Sequence, residues 1–271
     1  DGDHRLEEAK NNANQTIRNL SNLNNAQKDA EKNLVNSAST LEQVQQNLQT
    51  AQQLDNAMGE LRQSIAKKDQ VKADSKYLNE DPQIKQNYDD AVQRVETIIN
   101  ETQNPELLKA NIDQATQSVQ NAEQALHGAE KLNQDKQTSS TELDGLTDLT
   151  DAQREKLREQ INTSNSRDDI KQKIEQAKAL NDAMKKLKEQ VAQKDGVHAN
   201  SDYTNEDSAQ KDAYNNALKQ AEDIINNSSN PNLNAQDITN ALNNIKQAQD
   251  NLHGAQKLQQ DKNTTNQAIG N

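Results

Sequence analysis

The fold predicted is all-α: an elongated string of alternating three-helix bundles joined through shared long helices. Three observations predict it. The chain repeats itself at a spacing of 126 residues, the interval from Gly128 to Gly254. Its apolar residues recur at steps of three and four. It holds only 7 glycines and 3 prolines in 271 residues, too few for a loop-rich chain.

The repeat carries most weight. "ALHGAEKLNQDK" (125–136) returns as "NLHGAQKLQQDK" (251–262), and "LNEDPQIKQNYDDA" (78–91) as "TNEDSAQKDAYNNA" (204–217). All four tyrosines pair, Tyr77 with Tyr203 and Tyr88 with Tyr214, and Pro105 pairs with Pro231, with no gap anywhere. Gly2 and Leu6 fall on the register of Gly128 and Leu132, so a third glycine-marked segment opens the chain. The segment looks cut from a longer array.

Within a period the apolar seams are helical. One runs Ile170, Ile174, Ala177, Leu180, Met184, Leu187, Val191; its counterpart runs Val44, Leu48, Ala51, Leu54, Met58, Leu61, Ile65. Thr40 with Gln43 and Thr150 with Gln153 have capping-box spacing, and Ser166 can cap the helix after it. Asp81-Pro82 and Asn104-Pro105 read as an N-cap followed by a first-turn proline. These signals predict helices near 3–20, 25–37, 40–70, 82–101, 106–142, 151–163, 167–194, 208–227 and 234–268. Bundles are expected at 1–54, 55–127, 128–180 and 181–253, with 254–271 opening the next repeat. Gly128 and Gly254 then lie inside long helices, where one bundle hands over to the next and a neighbouring backbone can approach closely.

Composition narrows the function classes. Low apolar content (30%), 72 Asn and Gln, and the absence of Phe, Trp and Cys would suit disorder, but the regular seams favour folded helices with narrow cores. A net charge of −12 offers no basic surface for nucleic acid and would be repelled by an anionic membrane. Stability must come from packing without disulfides. The sequence shows no apolar run of membrane-spanning length.

Chemistry-bearing residues are sparse. His127 and His253 recur, but without a second ligand one turn away; His4 and His198 have no histidine counterpart. No metal, cofactor or catalytic residue is expected, and no enzyme activity. Tyr77 to Asp81 and Tyr203 to Asp207 form a repeated polar loop. It is read as Tyr packing over a bundle end while Asp81 and Asp207 cap the following helix, rather than as a ligand loop. Tyr88 and Tyr214 are expected in the core.

The stretch "LTDLTDAQREKLREQINTSNSRDDIKQKIEQAKALNDAM" (146–184) resembles the GA module of Gram-positive surface proteins. The stretch from Leu180 through Gly254 resembles the FIVAR module, and the alternation resembles giant staphylococcal cell-wall-associated proteins. The resemblance implies a monomeric repeat region of a surface-displayed, cell-wall-associated adhesin that binds host extracellular matrix such as fibronectin. Its membrane or wall attachment would lie elsewhere. A ligand-free spacer or envelope scaffold is the alternative. Albumin binding, known among GA modules, involves the second helix, the loop after it and the start of the third, with aromatic residues contributing; Ala26–Leu48 and Ala152–Ile174 contain no aromatic residue, which argues against albumin here. The ligand-binding residues stay unknown.

Overall fold

The computed structural model describes residues 1–270, and every regular element among them is an α-helix. The chain divides into two compact units, 1–131 and 132–271.

In the first unit, α1 (Gly2–Arg18), α2 (Asn25–Asn36) and the N-terminal part of α3 (Leu41–Ser64) enclose Ala13, Ile17, Val35, Val44 and Ala51. The C-terminal part of α3 buries Leu54, Met58 and Leu61 against α6 (Pro82–Asn100) and α7 (Lys109–Gln124), with Tyr88, Val95, Ile112 and Val119 opposite. Short helices α4 (Lys68–Ala73) and α5 (Ser75–Leu78) close one end of this second bundle. One helix therefore serves two cores. At 1.5 Å per residue its 24 residues reach about 36 Å, enough for two layers of packing along one seam.

The second unit repeats the plan with a single continuous core. It contains α8 from Leu132 onward (the helix spans Gly128–Asp144), α9 (Asp151–Asn162) and α10 (Arg167–Val191). After them come α11 (Lys194–Ala199), α12 (Ser201–Thr204), α13 (Ser208–Asn226), α14 (Ala235–Asp250) and α15 (Gly254–Gly270). Leu157, Ile170, Leu180, Met184, Tyr214, Ile238 and Ile245 are each no more than 2% exposed. Tyr88 and Tyr214 are fully buried, as their seam positions predict.

Caps explain the boundaries. Thr150 and Gln153 form a reciprocal capping box, and Ser166 accepts from the Asp169 amide. Thr40 accepts from the Gln43 amide, but the Gln43 side chain takes the Ser39 N–H instead, so this box is displaced by one residue.

Four expectations need correction. The helix expected at 106–142 is interrupted: α7 stops at Gln124, residues 125–127 are non-helical, and α8 starts at Gly128; the 234–268 helix breaks likewise between Asp250 and Gly254. Continuous rods through the glycines are thus contradicted, whereas sharing holds for α3 and α10. The helix expected over 40–70 ends at Ser64, and 167–194 ends at Val191, each followed by two short helices that periodicity cannot register in four to six residues. Pro105 does not open a helix; α7 begins at Lys109 after an extended loop. Asp81 and Asp207 do occupy N-cap positions, but neither side chain takes a first-turn amide.

Candidate functional site

The residues singled out in sequence, the polar loop, the glycine and the histidine, meet at one place in each copy. This is where the end of the α4–α7 bundle receives the first turn of the next helix. Glycine comes first. A Cβ built on Gly128 would lie 2.5 Å from the Glu80 nitrogen and 2.6 Å from both the Asn79 carbonyl carbon and the Ser75 oxygen. At Gly254 the matching contacts to Glu206, Asn205 and Asp202 are all 2.6 Å. These are backbone atoms, so no side chain fits without moving the α5–α6 or α12–α13 corner. The glycine is required for close approach, not for an unusual φ, since no glycine has positive φ.

Glu80 locks that approach. Its side chain is fully buried, and Oε2 accepts the His127 amide at 2.6 Å while Oε1 accepts the Asp81 amide at 2.8 Å and meets Lys131 Nζ. Lys131 also reaches Asp81 Oδ2 at 3.0 Å. Glu206, the His253 amide (2.6 Å), the Asp207 amide (2.7 Å), Lys257 and Asp207 Oδ2 (2.9 Å from Nζ) reproduce the set. Burial alone would push the Glu80 carboxyl up, but the Lys131 ammonium and the two amides outweigh it and hold the group below the usual carboxylate range. In the second copy Lys257 and the same two amides hold Glu206 at about 2. The histidines meet the buried glutamates through their backbone amides; both side chains are exposed, at helix starts rather than in helix interiors, and the His127 ring lies 3.7 Å from Glu130. The two aspartates complete a lysine clamp, where capping was expected.

Sequence reasoning missed Glu80 and Glu206. The signal was present: both copies keep Asn-Glu-Asp beside His-Gly-x-x-Lys, but a buried glutamate against a lysine 51 positions away is not a local pattern.

A second joint lies within each unit between the two bundles that share a helix. Gln27 is fully buried. Its Oε1 accepts the Asn24 amide as a capping box, and its Nε2 donates 2.9 Å to the Glu106 carbonyl in the loop before α7. Gln153 does the same with Thr150 and the Asn232 carbonyl, also 2.9 Å.

The tyrosine clusters differ between copies. Tyr77, 8% exposed, donates to Asp89 at 2.9 Å, and Lys72 pairs with the same carboxylate at 3.5 Å. In the second copy His198 and Asn215 replace Lys72 and Asp89. The His198 ring sits 4.8 Å from the half-buried Tyr203 ring and 2.8 Å from Asn215 Oδ1, and Asn215 donates to the Tyr203 hydroxyl. The tyrosine hydroxyl donates to a carboxylate in the first copy and accepts from an amide in the second, and Lys85 and Lys211 lie over the two rings at 5.3 Å. Among the described residues no group of three His, Cys, Asp or Glu is placed to share a metal ion, and no helix is long and apolar enough to cross a membrane.

Small helical bundles repeated without a gap, sharing helices and closed by one buried glutamate against one glycine, define a tandem helical-module protein. The chain belongs to the FIVAR domain family, matched at 57–127 and 183–253, and carries GA modules at 3–57 and 129–183. It is 45% identical over 270 residues to "Extracellular matrix-binding protein ebh" of Staphylococcus aureus strain NCTC 8325 / PS 47, covering 100% of this chain and 3% of that protein. It is 44% identical over 261 residues to "Extracellular matrix-binding protein EbhA" of strain Newman, covering 96% of this chain and 8% of that protein. The chain therefore spans a small fraction of the length of these relatives. A solved structure, the 756–1003 domain of EbhA from Staphylococcus aureus, superposes with a TM-score of 0.69 at 31% identity, covering 78% of this chain and 84% of that one.

Proposed function

We propose that this repeat region belongs to a cell-wall-associated bacterial surface adhesin that binds host extracellular matrix, fibronectin being the component to test first. It acts there as a monomeric, non-enzymatic spacer-like segment, with attachment to the envelope made elsewhere. One observation carries the proposal: 45% identity along the whole chain to a protein named for matrix binding. Module repetition supports it physically, since weak sites in many copies add through effective concentration.

The scaffold alternative has an observation of its own. The joints repeat between copies while the exposed leucines of the first copy do not. Leu34, Leu41, Leu78 and Leu108, all at least 47% exposed, correspond to Gln160, Arg167, Thr204 and Asn234. Glu60 becomes Lys186. Its neighbour Arg62 is half-buried and donates to the Asn22 carbonyl at 2.9 Å, so it is not part of an exposed face. A ligand read alike by every repeat needs a shared face. The deciding experiment is surface plasmon resonance of the purified chain on immobilised fibronectin, with albumin as comparison, at physiological salt. Saturable binding to fibronectin supports adhesion. Absence of binding to fibronectin, other matrix proteins and glycans leaves the scaffold.

A further inference from the structure

One glutamine has a setting unlike the others. Among the described residues only Gln103 and Gln193 lie outside helices. Gln193 sits in the turn of residues 192–193 between α10 and α11, and its carbonyl already accepts the Val197 amide as the first bond of α11. Gln103 lies instead in the loop 101–108 between α6 and α7. Its side chain is exposed and makes no hydrogen bond. Its backbone amide and that of Asn104 both donate to Glu101 Oε1 at 2.9 Å, and on the far side Gln27 Nε2 holds the Glu106 carbonyl at 2.9 Å. Pro105 disfavours helical backbone at Asn104 and keeps the chain there from coiling. The loop is thus tied at both ends and presents an unengaged carboxamide between the ties. In the second module the same loop is built alike: Asn227 Oδ1 accepts the Ser229 amide at 3.2 Å and the Asn230 amide at 2.9 Å, and Pro231 follows. There Ser229 stands in the place of Gln103.

An exposed glutamine carboxamide is a latent acyl donor. A helical glutamine has its backbone locked in i→i−4 bonds, so an enzyme that draws the side chain into a cleft must first melt that turn. At Gln103 no helix has to melt, and exposed loops are where modifying enzymes gain entry. We infer that Gln103 is the acyl-donor site of this chain for a cysteine acyltransferase of the transglutaminase class, which joins it to a lysine of an extracellular partner. The enzyme's thiolate attacks Cδ of Gln103; the C–N bond of the carboxamide breaks, ammonia leaves with a proton from the enzyme's acid group, and a thioester remains. The lysine Nζ then attacks the same carbon, the C–S bond breaks, the thiol regains a proton, and an isopeptide bond is left. Nothing is oxidised or reduced. The inference goes beyond reversible matrix binding and stands apart from it, since an amine probe reports it whether or not the chain binds fibronectin.

The test is incubation of the whole chain with a calcium-dependent transglutaminase and a biotinylated alkylamine, read by intact mass and peptide mapping. One label per chain is expected, with loss of one ammonia, on Gln103. Gln103→Asn, whose shorter side chain keeps the amide and the charge, should cut incorporation by about tenfold or more. Gln172→Asn, at an exposed position inside α10, should leave it unchanged. Ser229→Gln adds a donor to the matching loop and should raise the count to two, which keeps the question answerable if Gln103→Asn perturbs its loop. No incorporation, labels spread over helical glutamines, an undiminished rate in Gln103→Asn, or a single label after Ser229→Gln would each overturn the inference.

Discussion

Glu31 occupies a place that the second copy gives to Leu157, on the buried face of the short GA helix. It is 1% exposed, its Oε2 has no hydrogen-bond partner, and burial raises its pKa. An unpaired carboxylate in a core costs free energy in its charged form. Glu31→Leu should therefore stabilise the chain by about 2 kcal/mol at pH 7, read as a higher urea midpoint for the first GA module. The hydroxyls of Tyr88 and Tyr214 are likewise buried without partners. Tyr88→Phe should be neutral or stabilising by up to about 1 kcal/mol in the same assay, although Phe occurs nowhere in the chain. Seam spacing placed both tyrosines in the core correctly. It could not flag Glu31, because a seam argument counts apolar positions and is silent about a polar residue standing in one.

At the scale of elements, the joints decide the architecture. Gln27 and Gln153 each hold a helix start with one end of an amide and a neighbouring loop with the other. Gln27→Glu keeps the acceptor for the Asn24 amide but presents an oxygen to the Glu106 carbonyl. A loss of about 1–2 kcal/mol is expected, with raised hydrogen exchange in the 101–108 loop. Gly128→Ala should destabilise by about 2–3 kcal/mol, because the nearest atoms are backbone and cannot step aside. Gly2→Ala, with nothing within 4 Å, should be silent in the same thermal melt. The 126-residue period, the α3 and α10 seams and the caps at Thr150 and Ser166 were legible because each is a local or self-matching pattern. The break at 125–127 was not. Leu126 continues the apolar spacing and is itself buried, so the seam runs on through residues where the backbone does not.

For the molecule as a whole, acid pulls in two directions. Glu80 and Glu206 have folded pKa values below the unfolded one, so their contribution is complete above about pH 4.5 and fades as pH falls, towards about 2 for Glu206. Glu31 is shifted the other way. Its penalty is full above its raised pKa and relieved as pH drops through it. Hydrogen exchange against pH should thus show the first GA module tightening on mild acidification while the glutamate-held joints loosen below pH 4.5; Glu31→Leu should abolish the first trend alone. His127 and His253 have exposed side chains in non-helical linkers, yet buried glutamates hold their amides. Amide hydrogen exchange at those two positions tests it most directly. Protection comparable to the neighbouring helices, lost in Glu80→Ala and Glu206→Ala respectively, is the expected result; exchange at the rate of an open loop in the unmodified chain would contradict it.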